Sequence, residues 1–106
     1  MLKALCVAIA LATVSAFAAS AEEVTVFQEG KKFSEPGVTV KAGQSVTFTN
    51  KDKVTHNVYS NTPGMSFDLR TQKPGDSGKV QFDTVGEADV QCAIHPQMKV
   101  KVKVVP

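Results

Sequence analysis

From residue 24 onward, apolar and polar residues alternate in short runs, and the last run is the most regular. In residues 98–104, valines follow Met98 at every second position and lysines fill the positions between them. Successive side chains of a β-strand point to opposite faces, so this pattern predicts a strand with its valines in a core and its lysines in water. These lysines could steer an acidic partner toward the protein, or they could only be the solvated face of an edge strand that they protect from pairing with other chains. They are Lys99, Lys101 and Lys103.

Several further extended runs precede this strand, and turns rich in Gly, Pro, Asn or Asp separate them. No stretch after residue 21 has helical periodicity. About eight short strands between such turns are typical of an all-β sandwich or barrel, and no repeat or linker divides the chain. The strands predicted before the last one cover residues 24–27, 38–40, 45–49, 56–59, 67–69, 79–82 and 88–92.

The first 21 residues have the order of a secretory signal peptide. Residues 1–3 form a basic start, residues 4–17 are apolar and rich in alanine, and residues 19–21 are a small-x-small cleavage site, with residues 16–18 as a second option. An uncleaved anchor helix is the alternative, but the apolar run is short for a transmembrane span. We therefore expect a cleaved signal peptide at residues 1–21 and one exported domain at residues 22–106, located in the periplasm and outside the membrane.

Cleavage after Ala21 would remove Cys6 and leave Cys92 as the only cysteine of the domain. Small exported domains usually rely on disulfides, so a single cysteine points to intermolecular pairing, a reactive thiol or a metal ligand. Cleavage also removes Lys3 from the twelve basic residues, which leaves eleven against ten acidic ones and a net charge of +1. Nothing in this charge argues for nucleic acid or a membrane surface as a partner.

A thiol, an imidazole and a thioether are spaced three residues apart at Cys92, His95 and Met98. Thiolate and thioether select Cu(I), imidazole suits both copper states, and two His with one Cys and a weak axial Met form the ligand set of blue-copper electron-transfer sites. The only other histidine is His56, so the fold must bring it to this loop. Gln97 is the rival for the axial position, because a Gln oxygen is the axial ligand of some blue sites.

Other interpretations of these residues are less complete. Taken singly, Cys92 could be a small buried hydrophobic residue, His95 a surface histidine and Met98 part of the core. A structural zinc site needs four Cys or His ligands, and a c-type haem needs a Cys-x-x-Cys-His motif that the chain lacks. A nucleophilic Cys–His pair would need a third group to orient the imidazole, and none is evident nearby. Together the residues favour copper.

The sequence resembles the small type 1 blue-copper proteins, or cupredoxins, of the plastocyanin/amicyanin group over essentially all of residues 22–106. Residues 38–50 are similar to the second and third strands of that family, residues 55–58 match its first-histidine motif, and residues 92–98 match its C-terminal ligand loop. The short spacing in that loop is the amicyanin-like version. One departure is Val90, because many cupredoxins have an aromatic residue two positions before the cysteine.

The resemblance implies a cupredoxin-like Greek-key β-sandwich and a periplasmic one-electron carrier with one mononuclear type 1 copper ion, not an enzyme. It also implies that Asn57 ties the His56 segment to the cysteine loop. Partner proteins, such as a c-type cytochrome, a dehydrogenase or a reductase, would dock transiently on a monomer near His95. Pro63 and Met65 are candidates for the apolar patch there. The alternative is a protein for copper storage or delivery.

Overall fold

The computed structural model describes residues 23–106, and the predicted signal peptide lies outside these residues. The described chain folds into nine strands without a helix, and so contains no helix that could span a membrane. In chain order the strands are β1 (Val24–Glu29), β2 (Lys32–Phe33), β3 (Gly37–Lys41), β4 (Gln44–Asn50), β5 (His56–Ser60), β6 (Phe67–Gln72), β7 (Ser77–Phe82), β8 (Gly86–Gln91) and β9 (Lys99–Val105).

The strands form two sheets, which confirms the predicted all-β sandwich. One sheet has the order β2-β1-β4-β7 and the other the order β3-β9-β8-β5-β6. The β1–β4 and β3–β9 pairs are parallel, and the other pairs are antiparallel. Parallel neighbours need a crossover connection, so the chain passes repeatedly from one sheet to the other.

The short strand β2 is the element that the alternation pattern missed. It pairs with the end of β1 in the register Gln28↔Phe33 and Glu29↔Lys32. The two residues between them, Gly30 and Lys31, both have positive φ angles, of 61° and 57°. Two such residues form the tight hairpin turn whose twist matches the flanking strands. A strand of two residues carries no periodicity, so only the turn could have indicated it.

The core lies between the sheets and consists mostly of valines. Val26, Val46 and Phe48 of the first sheet have no exposed surface, and neither have Val58 and Val90 of the second. Burying a side chain of this size contributes roughly 1.5–3 kcal/mol, so the valine pattern supplies the main driving force for closing the sandwich. Val90, at the position that is aromatic in many cupredoxins, is thus part of this apolar core.

The alternation predicted for β9 is confirmed, but the suggestion that its lysines solvate an edge strand is wrong. Val100, Val102 and Val104 are 0–2% exposed, and the β9 lysines face solvent. The strand pairs with β3 on one side and β8 on the other. Lys101 Nζ lies 3.6 Å from Glu87 Oε2 and 3.8 Å from Asp89 Oδ1, so acidic residues of β8 offset part of the lysine charge.

Buried polar side chains join the sheets at the end of the sandwich where β5 begins. Gln28 Nε2 donates to Gln72 Oε1 at 2.6 Å, and Gln72 Nε2 donates to the Phe48 carbonyl at 3.1 Å. The buried Asn50 side chain donates to the carbonyls of Val54 and Gln72, both at 3.0 Å. These bonds fix the β4–β5 connection and therefore the start of β5 at His56.

Phe48 is a side chain that links the two sheets, since its ring stacks on that of Phe67 with centroids 6.0 Å apart. We expect Phe48→Ala to lower the free energy of unfolding by about 3–5 kcal/mol, because it leaves a cavity between the sheets. Urea denaturation measures this. The control, Val85→Ala, changes a side chain that is 55% exposed and should stay within about 0.5 kcal/mol of the parent. Equal losses in both variants would contradict the assignment of Phe48 to the core.

Candidate metal centre

Three of the predicted site residues meet at one end of the sandwich. The Nδ1 atoms of His56 and His95 lie 3.1 Å apart, and Cys92 Sγ lies 3.8 Å from the first and 3.9 Å from the second. Donors that share one metal ion have separations of this size, because metal–nitrogen and metal–sulfur bonds are about 2.0–2.3 Å long. Two imidazoles and a thiolate in this arrangement fit a type 1 copper ion.

Cys92 follows β8 directly, so a strand fixes the direction from which its sulfur reaches the site. The residue is 1% exposed, and the Asn57 N–H donates a hydrogen bond to Sγ at 3.4 Å. This donor comes from the residue after His56. The segment that supplies His56 and the segment that supplies Cys92 are therefore joined by a hydrogen bond to the sulfur atom.

The segment between β8 and β9 turns back on itself. The Met98 N–H donates to the His95 carbonyl at 2.9 Å, and Pro96 lies inside this turn. Met98 is 2% exposed, whereas the neighbouring Gln97 side chain faces solvent. The turn thus directs the thioether inward and the amide outward.

His56 has no exposed surface, and a carboxylate lies against its ring. Its Nε2 atom lies 2.8 Å from Asp52 Oδ2, on the side of the ring opposite Nδ1. The backbone N–H groups of Lys31 and Lys53 also donate to this carboxylate, each at 2.8 Å. The Lys31 hydrogen bond, followed by that from His56, lowers the pKa of Asp52 well below its usual range. The carboxylate is therefore ionised throughout the neutral range.

Sequence reasoning placed Asp52 in a polar turn and missed this contact. The sequence indicated this contact only weakly, because an Asp four residues before a histidine is expected to contact its side chain only in a helix. Here a bend in the chain creates that relation, because the Asp52 N–H donates to Asn50 Oδ1 at 2.8 Å. The predicted turn is present, but the direction of the Asp52 side chain depends on the hydrogen bond to the buried Asn50.

Asn57 joins the His56 segment to the cysteine loop, as the resemblance implied. Its Oδ1 accepts a hydrogen bond from the Ala93 N–H at 3.3 Å. Its Nδ2 donates to Asp68 Oδ1 at 2.9 Å and to the Arg70 carbonyl at 3.1 Å. The pairing of β5 with β6 shifts register at this point, and Arg70 has a φ angle of 59°. The bulge turns the edge of the sheet toward the Asn57 amide.

The surface next to the centre is apolar but smaller than the sequence suggested. His95 is partly exposed, Ile94 is 52% exposed, and Ala93 and Pro96 face solvent. Met65 does not belong to this surface.

Met65 instead packs at Gly86, where a Cβ atom on that glycine would lie 3.1 Å from Met65 Cε. Gly86 begins β8, and a strand of six residues, about 20 Å long, separates it from Cys92. The suggestion that Met65 borders the centre is therefore wrong. Pro63 lies on the β5–β6 loop, where it lines a surface hollow together with Asp89 and Gln91 of β8.

The sandwich and its two-histidine, one-cysteine centre define a cupredoxin. A family model described as copper binding proteins of the plastocyanin/azurin family matches residues 20–105. The chain belongs to this family.

Individual relatives agree with that assignment. Amicyanin-alpha of Methylorubrum extorquens is 36% identical and matches over 97% of this chain and 99% of its own. The methylamine utilization protein MauL of the same organism is 31% identical over 95% of this chain and 90% of its own. Among solved structures, a Cu(I) form of an amicyanin mutant has a TM-score of 0.73 and 26% identity, covering 78% of this chain and 82% of that one. The chain is therefore a copper-binding electron carrier of the type 1 blue-copper class and not an enzyme.

The Asn57 contacts predict a measurable effect on the loop. Asn57→Ala removes the acceptor for the Ala93 N–H and two hydrogen bonds to the β6 bulge, so we expect a loss of about 1–3 kcal/mol in unfolding free energy of the metal-free protein. Amide hydrogen exchange at Ala93 should accelerate. The matched control is Asn61→Ala in the exposed β5–β6 loop, which should leave both quantities nearly unchanged. Unchanged exchange at Ala93 in Asn57→Ala would show that the contact does not order the loop.

Proposed function

We propose that the protein is a periplasmic one-electron carrier and that His56, Cys92, His95 and Met98 hold its copper ion. The observation that carries this proposal is the convergence of two Nδ1 atoms and one Sγ atom within 4.8 Å of one another. When bound, the ion supplies the Cu(II)/Cu(I) couple through which an electron is taken up and passed on. The periplasmic location is supported by the signal-peptide pattern of residues 1–21.

The chain holds the donor atoms in place through its own hydrogen bonds. His56 is fixed by Asp52, Cys92 by the Asn57 N–H, and the loop after Cys92 by the Asn57 side chain. Side chains that are locked in this way have little freedom to move when the charge of the centre changes. Restricted ligand movement is what rapid electron transfer requires, since the same geometry must serve both oxidation states.

Met98 is the better axial ligand of the two candidates. Its side chain is buried at the end of the loop, and its N–H is bonded to the His95 carbonyl. Gln97 faces solvent and would need the loop to rotate before its amide oxygen could reach the centre. A weak thioether ligand also completes the donor set of blue-copper sites.

Burial of the centre favours a carrier over a protein for copper storage or delivery. Delivery requires an ion that a partner can reach and remove, whereas His56 is 0% and Cys92 1% exposed. Only His95 reaches the surface, and it is surrounded by the exposed Ala93, Ile94 and Pro96. An electron can leave through that ring while the ion stays in place.

The same surface supports transient docking of a redox partner on the monomer. Small interfaces are typical of brief electron-transfer encounters, and a short apolar loop around His95 suits such a contact. A c-type cytochrome, a dehydrogenase or a reductase is the class of partner that we propose. The relative MauL is described as a methylamine utilization protein, which supports a dehydrogenase of that process as one candidate.

Positive charge near the centre would help to attract such a partner. The β9 lysines are less suited than the sequence suggested, because Lys101 pairs with two acidic residues of β8. Lys31 and Lys53 instead lie beside the site, because their N–H groups bind the carboxylate that contacts His56. Lys51 lies on the same connection, and all three side chains are exposed. Among residues 23–106 none of the three forms an ion pair.

The proposed copper ligands are tested by spectroscopy. We expect the protein oxidised with Cu(II) to be intensely blue and reversibly reducible, and we expect Met98→Leu to change the absorption and EPR spectra. Gln97→Leu is the matched control and should leave them unchanged. If the spectra respond to Gln97→Leu and not to Met98→Leu, the amide is the axial ligand. A parent protein that binds Cu(I) without forming a blue Cu(II) state would favour storage or delivery.

The role of the lysines is tested by ionic strength. We expect the rate of electron exchange with the anionic complex hexacyanoferrate to fall as salt is added, because salt screens attraction between exposed charges. Replacing both Lys51 and Lys53 with Gln should slow this reaction severalfold at low salt. Replacing Lys101 and Lys103 with Gln removes the same charge farther from the site and should have a smaller effect. If both double substitutions slow the reaction equally, the attraction of hexacyanoferrate depends on the net charge of the protein and not on the position of the lysines.

A further inference from the structure

We infer that Asp52 is a positioning residue of the metal centre, which fixes the His56 tautomer and places a permanent negative charge behind that ligand. Its carboxylate accepts a hydrogen bond from the Nε2–H group, so the Nδ1 lone pair is free for copper. The charge favours Cu(II) over Cu(I) and so lowers the reduction potential. This inference rests on the proposed function, in which His56 is a copper ligand.

The carboxylate is held in one orientation from several sides. Oδ2 accepts from His56 Nε2 and from the Lys31 N–H, both at 2.8 Å, and Oδ1 accepts from the Lys53 N–H at 2.8 Å. The Asp52 N–H donates to Asn50 Oδ1, and Asn50 is fully buried. Because the donors come from both the β1–β2 turn and the β4–β5 connection, rotation of the carboxylate away from His56 would break bonds to two segments.

The tautomer follows from what the carboxylate can accept. A neutral imidazole has one N–H and one nitrogen lone pair, and an ionised carboxylate can only accept hydrogen bonds. The proton therefore lies on Nε2, which faces Asp52, and the lone pair lies on Nδ1. That lone pair is directed at the place where His95 Nδ1 and Cys92 Sγ also meet. A partner on the far nitrogen of a metal-ligating histidine commonly sets its orientation and raises its basicity.

The two histidines of the centre differ in this support. His56 is buried against a carboxylate, whereas His95 is partly exposed, and within residues 23–106 its ring is hydrogen-bonded only toward His56 and Cys92. The structure thus assigns the fixed ligand to His56 and leaves His95 as the ring that contacts solvent and partners. His56 thus serves to hold the ion, and His95 serves to exchange electrons with partners.

The Asp52 carboxylate is mostly covered by its neighbours, so water screens its charge less than that of an exposed carboxylate. The side chain is 11% exposed, and its nearest positive neighbours contribute backbone N–H groups, while their ammonium groups extend into solvent. Interactions of partly buried charges are reduced by water and salt much less than those of exposed ones. A negative charge in this position stabilises the more positive copper state. It therefore raises affinity for Cu(II) relative to Cu(I).

Two substitutions separate the charge from the hydrogen bond. Asp52→Asn keeps an oxygen that can accept from Nε2 but removes the charge, and Asp52→Leu removes both. We expect Asp52→Asn to lower Cu(II) affinity relative to Cu(I) about tenfold, the lower end of the effect of outer-partner substitutions on metal affinity, which equals a rise of about 59 mV in potential for one electron. Protein-film voltammetry measures this. The control Asp83→Asn removes an exposed carboxylate on the β7–β8 turn and should leave the potential unchanged.

The tautomer is measured without copper. In the metal-free and zinc-loaded proteins, long-range ¹H–¹⁵N NMR should show a proton on His56 Nε2 in the parent and in Asp52→Asn, and a mixture of tautomers in metal-free Asp52→Leu. An Nδ1 proton on His56 in the metal-free parent would overturn the inference, as would equal potentials for the parent and both Asp52 variants. Failure of the proposed ligand set has a different signature, since the parent protein would then not turn blue with Cu(II) whatever the tautomer.

Discussion

The metal centre depends on one constraint, which is that a polar histidine must be completely buried where the two sheets meet. Burial of an imidazole is costly unless its nitrogens have partners, and here each nitrogen has one. One of those partners, Asp52, is itself placed by Asn50, whose amide holds the β4–β5 connection. The Gln28–Gln72 bond between the sheets lies next to His56, because Gln72 is the register partner of His56. Satisfied buried networks of this kind rigidify a structure, because breaking any member leaves another without a partner.

The valine core and this polar network have different roles. Apolar burial closes the sandwich but is not directional, so it does not determine the angle of a ring or the position of a sulfur. Hydrogen bonds provide that direction at the end of the sandwich where β5 begins and β8 ends. The loop after Cys92 then needs only a tight turn to bring His95 and Met98 toward the same place.

The sequence predicted those features that a local pattern encodes. The short extended runs between turns were sufficient for the all-β sandwich, and the spacing of Cys92, His95 and Met98 was sufficient for the cysteine–histidine part of the centre. Features that depend on contacts distant in the chain were not predictable from these patterns. The direction of Asp52 depends on a donor from the β1–β2 turn, and the place of Met65 depends on the opposite end of β8. The internal position of β9 follows from its parallel pairing with β3, which alternation does not reveal.

The β1–β2 turn links a surface segment to the copper environment. Lys31 adopts a left-handed conformation in that turn, and its N–H is bonded to the carboxylate behind His56. Replacing Lys31 with glycine, which adopts this conformation without strain, would change how firmly the turn holds the N–H against that carboxylate without altering any ligand. A substitution in a solvent-facing hairpin can thus adjust the driving force of the redox reaction while the ligand sphere stays intact.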